Sequence, residues 1–181
     1  MTRLVGYHDD VQIVGFPNPV NEVSARLVAT GVVVLAVVTV AFDVRWLTIL
    51  LAYGFVARVL TGPKLSPLGQ LVTRLITPAL PVAPKLVPGP PKRFAQGIGA
   101  AFTLTAAVLT FGFDRFDLAQ IVLGMLVVAA SLEAFVGFCL GCKAFAILMR
   151  IGLIPAEVCE ACNDIWSRAS DRRHEVPVPS G

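Results

Sequence analysis

The sequence predicts an all-α integral membrane protein, a four-helix bundle built from two repeated helical hairpins. Composition is the first observation, because 56% of the 181 residues are hydrophobic, 15% are charged and the mean hydropathy is +0.76. Soluble domains average about 45–50% apolar and about 25% charged residues. The second observation is a series of long apolar runs. These runs lack the alternation of a membrane barrel, and an open sheet cannot leave its edges unpaired in lipid, so helices are the expected spans.

The first hairpin is predicted over residues 23–60, after an N-terminal leader of residues 1–22. Its first apolar run, 23–42, is long enough to cross a bilayer, which takes about 20 residues. The second run, 46–60, is shorter than that length. It is therefore predicted to be either a short span or a re-entrant helix.

The second hairpin is predicted over residues 94–140. The run 94–113 is uncharged, and the returning run from 118 to 140 carries a single charge, Glu133. A Phe-Asp pair ends the first run of each hairpin, at 42–43 and at 113–114. With two spans in each half, the similarity predicts a parallel repeat of two hairpins. The alternative is that the two halves share only the general pattern of a hydrophobic hairpin.

The proline-rich stretch 61–93 connects the hairpins and contains several basic residues. Ser66 followed by Pro67 predicts the start of a short amphipathic helix on the membrane surface, in contact with lipids, and 77–91 predicts an extended polyproline segment. Basic residues also populate the tail 141–181, whereas the two short turns hold one arginine each. The positive-inside rule then predicts a multi-pass plasma-membrane protein with both termini in the cytoplasm.

All four cysteines lie near the C-terminus, as Cys139 with Cys142 and Cys159 with Cys162. The gap between the two CxxC pairs, residues 143–158, matches the spacing of about 15–20 residues in four-thiolate zinc sites. We expect a cytoplasmic helical hairpin that brings the four sulfurs together, each pair sharing one helix face. The site would hold a metal, with zinc as the cofactor, or consist of two dithiols that exchange. Inert packing of small thiols is the alternative.

Arg26 lies in the first predicted span, and its long side chain can extend to the headgroups. Two further charges lie at similar depths in later spans, Arg58 in the second and Glu133 in the fourth. An unpaired charge at that depth is unfavourable, so we expect the two residues to form an ion pair, within one subunit or across two. The alternatives are an ion or proton pathway lined by Glu133, and an Arg58 side chain that extends to the headgroups.

These features are compatible with three classes of function and disfavour two others. The first is a cytoplasm-facing four-cysteine site for metal binding or thiol redox chemistry. The second is a homo-oligomeric channel or transporter in which the cysteine hairpin is structural, and the third is a membrane scaffold for a soluble partner. The net charge of +3 does not predict nucleic-acid binding. His8 and His174 lie near the two termini without a nucleophile motif, which disfavours a hydrolase.

Four segments together resemble an uncharacterised four-span membrane-protein family that is common in actinobacteria. They are 18–22, 90–96, 138–143 and 154–166, and the last two carry the CxxC pairs. Genes of that family tend to lie near genes for thioredoxin-like proteins and thiosulfate sulfurtransferases. The resemblance therefore implies a link to sulfur or thiol metabolism, with a thioredoxin-like protein or a sulfurtransferase as partner.

Overall fold

A computed structural model describes residues 16–155 of the protein, and these residues are mostly helical. Two short strands pair next to the starts of two long helices. The helices are α1 (Glu22–Ala41), α2 (Leu47–Thr61), α3 (Pro67–Leu71), α4 (Thr77–Ala79), α5 (Gly89–Ala107), α6 (Phe116–Ser131) and α7 (Leu140–Arg150), and the strands are β1 (Val20–Asn21) and β2 (Leu86–Val87). Single π-helical turns extend α3, α5 and α6 at their C-terminal ends, over Val72–Ile76, Val108–Gly112 and Leu132–Val136.

Three of these helices are long and apolar enough to cross a membrane, which confirms the predicted helical membrane class. They are Glu22–Ala41, Gly89–Gly112 and Phe116–Val136. Helix α2 is also apolar but has 15 residues, fewer than the other three. The prediction that α2 forms a fourth span stays a prediction.

The long helices pack side by side around a core of small and branched residues. Helix α5 contacts α2, α6 and α7, while α1 contacts α6 and α2. Close approach needs small side chains, and Gly99 on α5 supplies one, because a Cβ there would lie 2.1 Å from the ring of Phe55 on α2. The central cluster consists of Val32, Ala36, Leu51, Phe55, Ala100, Ala106, Phe116, Ala119, Leu123, Leu126 and Ala130.

The connection between the hairpins is more ordered than the predicted polyproline segment. The predicted start at Ser66 is present, since its hydroxyl accepts from the N–H of Gly69 at 3.2 Å. However, Thr77–Ala79 is helical and β2 pairs antiparallel with β1. Helix α5 also begins at Gly89, five residues before the predicted run. Prolines in its first turn are compatible with a helix because the first N–H groups need no intrahelical acceptor.

The turns of the two hairpins share one backbone conformation. Asp43 and Asp114 have φ values of 57° and 51°, in the left-handed region that few residues other than glycine adopt. They are the aspartates of the two Phe-Asp pairs that the sequence placed at corresponding positions. Arg45 of the first turn also forms an ion pair with Asp114 of the second, at 3.3 Å between Nη1 and Oδ1.

The helical segment that begins with α6 ends at Val136, four residues before the end of the predicted run. Gly137 follows with φ 73°, a left-handed residue of the kind that commonly ends helices. Arg26 of α1 donates hydrogen bonds to the carbonyls of Ala134 and Phe135, both at 3.1 Å. It thus satisfies carbonyls that the helix end leaves without intrahelical donors.

Candidate thiol site at the N-terminus of helix 7

Cys139 is the N-cap residue of α7. Its backbone is extended, with φ −85° and ψ 104°, and its sulfur accepts a hydrogen bond from the N–H of Cys142 at 3.3 Å. The predicted arrangement, with Cys139 and Cys142 on one helix face, is therefore wrong for Cys139. The reason is the break at Gly137, which ends the preceding helix and lets a new one begin at Leu140.

The two sulfurs of this pair lie next to each other. Both are free thiols, and the thiol of Cys142 donates to the sulfur of Cys139 with 2.7 Å between the Sγ atoms. Cys139 is buried and Cys142 is partly exposed. Since the S–S bond of a disulfide is about 2.03–2.05 Å, oxidation would require only a small approach of the two side chains.

The surroundings shift the pKa values of the two thiols in opposite directions. The hydrogen bond from Cys142 lowers the pKa of Cys139, assisted by the positive charge of Lys92 and opposed by burial and by Glu133. The pKa of Cys142 is raised, first because its proton is held by Cys139 and then because of burial. A thiolate is the reactive form of cysteine, so Cys139 is suited to be the nucleophile and Cys142 to remain a thiol.

An ion pair lies beside the thiols, between Lys92 on α5 and Glu133 at the end of α6. The Nζ–Oε1 distance is 2.6 Å, and the two side chains are 10% and 15% exposed. Within one chain, the predicted ion pair between Arg58 and Glu133 is therefore replaced by the pair between Lys92 and Glu133. A pair between Arg58 and Glu133 across two subunits stays a prediction. Because α5 begins at Gly89, Lys92 belongs to its first turn and reaches Glu133, whereas the sequence placed Lys92 in the connection before the helix.

Arg58 is held by other partners on the same side of the bundle. Its Nε donates to Oε1 of Gln96 at 3.0 Å and its Nη1 to the hydroxyl of Ser66 at 3.3 Å. The guanidinium also lies over the ring of Phe55, 4.3 Å from its centroid. Sequence reasoning missed Lys92 and Gln96, although their four-residue spacing places them on one face of a helix that starts near Pro90.

A cavity of about 390 Å³ opens beside the two sulfurs. Lys92, Lys143 and Glu22 bring charge to its wall, while Pro88, Pro91 and Phe138 are among its apolar residues; the ammonium of Lys143 lies 5.7 Å from the Phe138 ring centroid. The cavity gives the pair a route to a reacting molecule.

The second cysteine pair, Cys159 and Cys162, lies outside residues 16–155. Within the described range, no group of three or more His, Cys, Asp or Glu side chains could hold a metal ion. Of the four predicted ligands, Cys139 and Cys142 lie next to each other. The shared four-sulfur site and its zinc stay predictions.

The fold and this site define the class of the protein as a helical membrane protein that carries a pair of adjacent thiols. The chain belongs to the family described as a domain of unknown function, DUF4395, whose model matches residues 20–150. The predicted membership of an uncharacterised family is confirmed. The matched range contains Cys139 and Cys142 and stops before the second pair. No curated protein and no solved structure matches the chain.

Proposed function

We propose that this protein is a membrane-anchored dithiol protein that exchanges disulfides, with Cys139 as the nucleophile and Cys142 as the resolving thiol. The observation that carries the proposal is the arrangement at the α7 N-cap, where one sulfur accepts hydrogen bonds from both the backbone N–H and the thiol of Cys142. Donors to a sulfur stabilise its thiolate. The site therefore holds one activated sulfur and one protonated sulfur within bonding reach.

The exchange proceeds in two displacements. The Cys139 thiolate attacks one sulfur of a partner disulfide, so that a mixed disulfide forms and the partner's S–S bond breaks to leave a partner thiolate. Cys142 then loses its proton and attacks the Cys139 sulfur, which forms the Cys139–Cys142 disulfide and releases the second partner thiolate. Two electrons pass from the pair to the partner, which takes up two protons. The reverse sequence reduces the pair when the partner dithiol is the stronger reductant.

The orientation of the site belongs to the same proposal. Basic residues concentrate in the central connection and in the tail, which supports a plasma-membrane protein with both termini in the cytoplasm. The thiols would then work in a reducing compartment, where persistent structural disulfides are disfavoured. A thioredoxin-like protein or a sulfurtransferase is the proposed partner, and Cys159 with Cys162 would act as a second exchanging pair or complete a zinc site. The protein would work as a homo-oligomer.

Trapping of the mixed disulfide tests the exchange. The protein is purified anaerobically with Cys159 and Cys162 as serines and treated with oxidised glutathione. We expect Cys142→Ser to accumulate one glutathione on Cys139, because the resolving thiol is gone, and the parent to lose two thiols without retaining glutathione. Cys139→Ser should react much more slowly. Equal adduct formation on Cys142 in that variant would contradict the assigned roles.

Elemental analysis of the full chain separates the exchange from the metal alternative. Zinc retained at one ion per chain and released by a chelator would favour the four-thiolate site. A chain that is free of metal and still gives the glutathione adduct would favour exchange.

A further inference from the structure

A second concentration of buried charge lies between α1, α2 and α5, around a cavity of about 220 Å³. Among the described residues that line it, two carry a charge, and both are cations, Arg58 and Lys92. They are 6% and 8% exposed. The thiol chemistry proposed above does not account for this cavity or for Arg58.

The two cations and the Gln96 amide supply hydrogen-bond donors to this region, which Asn21, Ser24 and Thr73 also line. Arg58 uses Nε and Nη1 for Gln96 and Ser66, and its Nη2 has no hydrogen-bond partner among residues 16–155. Gln96 presents its carbonyl oxygen to Arg58, so the other end of its amide is an NH₂ donor. Lys92 has three donor positions and gives one to Glu133. No carboxylate lies among the described lining residues.

Lys92 and Arg58 differ in how their charges are met. Lys92 forms an ion pair with Glu133, whereas Arg58 forms no ion pair within residues 16–155, and its hydrogen-bond partners there, Gln96 and Ser66, are neutral. Glu133 is also absent from the described lining of this cavity. A buried charge without a counter-charge is strongly unfavourable, and an anion beside Arg58 would supply that counter-charge.

Apart from Asn21, Ser24 and Thr73, the rest of the wall is apolar, and it sets the shape of a ligand. Prolines and aliphatic side chains supply most of the lining, with Pro17, Pro19, Pro63, Val20, Ala25 and Val28 among them. A volume of about 220 Å³ corresponds to roughly seven water molecules at their share of liquid volume. The cavity therefore suits a small molecule with one charged end and a compact apolar body.

We propose that this cavity binds a small organic anion of single negative charge, a carboxylate or sulfonate, whose charged group contacts Arg58 and Lys92. Arginine suits this role because its planar fork matches the geometry of a carboxylate. The apolar body would lie against the prolines and aliphatic side chains.

Three sources could supply the anionic group, and the experiment separates them. A free small molecule is the proposed source. The headgroup of an anionic lipid is the second, and a carboxylate of this chain outside residues 16–155, such as Asp9 or Asp10, is the third.

The full-length protein is placed in nanodiscs of zwitterionic phosphatidylcholine, and binding of benzoate is measured by calorimetry, with neutral benzamide as the matched probe. We expect saturable benzoate binding and at least tenfold weaker binding of benzamide. Arg58→Gln should weaken benzoate binding at least tenfold. Arg93→Gln, which changes an exposed arginine of α5 that does not line the cavity, should leave benzoate binding unchanged. Equal binding of both probes, or full binding by Arg58→Gln, would overturn the proposal.

Because Arg58→Gln removes buried contacts and could unfold the chain, a second variant keeps the arginine. Gln96→Glu places a carboxylate where the Gln96 oxygen accepts from Arg58, so it supplies the missing negative charge within the chain. We expect this variant to remain folded and to lose benzoate binding. A folded Gln96→Glu protein that binds benzoate as tightly as the parent would overturn the proposal.

The other two sources give distinct results. If anionic phosphatidylglycerol in the nanodiscs competes with benzoate, the occupant is a lipid headgroup and the small-molecule proposal fails. If benzoate binds only after Asp9→Asn with Asp10→Asn, the chain's own carboxylate fills the site and the proposal fails as well. We expect neither change to alter benzoate affinity. Glutathione trapping at Cys139 is unaffected by these outcomes, so this inference and the thiol proposal fail independently.

Discussion

The ammonium group of Lys92 lies 2.6 Å from the carboxylate of Glu133, and this contact joins the first turn of α5 to the last turn of the helical segment that begins with α6. Both side chains are largely buried, and Cys139 follows Glu133 by six residues. The pair therefore has two roles: it stabilises the packing of two membrane helices, and it sets the charge beside the thiols. Its two roles can be measured separately.

Stability measures the first role. We expect Lys92→Met and Glu133→Gln each to lower the free energy of unfolding by about 3–5 kcal/mol, because each strands a buried charge. The double variant should lose less than the sum of the two single changes, since the partners are removed together. Denaturant unfolding in a fixed detergent gives the values. Arg115→Met, which breaks the exposed pair with Asp117, is the control and should change stability by about 1 kcal/mol or less. Additive losses would contradict a direct pair.

The pH dependence of alkylation measures the second role. The pKa of Cys139 is lowered by the Cys142 hydrogen bond and by Lys92, so its thiolate should persist below the ordinary cysteine value of about 8.5. The iodoacetamide rate should therefore fall only as the pH drops through that lower value. Lys92→Met should raise the pH midpoint of the alkylation rate, because Lys92 helps to lower the pKa of Cys139. Glu133→Gln should lower that midpoint, because Glu133 raises the pKa of Cys139. Midpoints that coincide in all three proteins would refute this electrostatic assignment.

Gly141 tests how α7 is held against α5. A Cβ at this position would lie 2.6 Å from the Cα of Ala95, a backbone atom that cannot rotate away. We expect Gly141→Ala to lower the free energy of unfolding by about 1–3 kcal/mol, as overpacking does, and to increase the alkylation rate of the partly exposed Cys142. Gly97→Ala on α5 is the matched control, because a Cβ there meets nothing within 4 Å. Equal effects of the two changes would argue against a tight α5–α7 contact.

Membrane orientation can be measured with labelling reagents that do not cross the bilayer. Single cysteines at Asp43 and Asp114, in a background without native cysteines, should react in intact cells. Arg172→Cys should react only after permeabilisation, because the basic tail is predicted to be cytoplasmic. The opposite pattern would reverse the proposed topology.

Coupling between the two cysteine pairs is the remaining prediction. If the four sulfurs share one site, changing Cys139 and Cys142 to serine should alter the alkylation rate of Cys159 and Cys162, either by loss of a metal or by loss of the exchange partner. Mass spectrometry of the modified peptides gives the rates. Unchanged rates at the second pair would show that the pairs act separately.

Much of the thiol site was readable in the sequence, but its local geometry was not. The CxxC spacing identified the residues, and Gly137 is the signal that could have ended the preceding helix before Cys139. The helix break was not predicted, because residues 118–140 form one apolar run and hydropathy carries no information about a glycine in the left-handed conformation. Arg26 was likewise identified as a charge in an apolar run, yet its role as a cap for Ala134 and Phe135 depends on a helix more than one hundred residues away.

By itself the sequence determined the helical membrane class, the two Phe-Asp turns and the identity of the cysteine pairs. Composition and residue spacing can be read along the chain without its three-dimensional structure, and in lipid the backbone has few alternatives to a helix. Only the tertiary structure decided that Glu133 pairs with Lys92 and that Arg58 binds Gln96 and Ser66. Successive residues are rotated by about 100° around a helix, so the partner of a charged side chain depends on where α5 begins and how it packs. The depth of a residue along a predicted span gives neither.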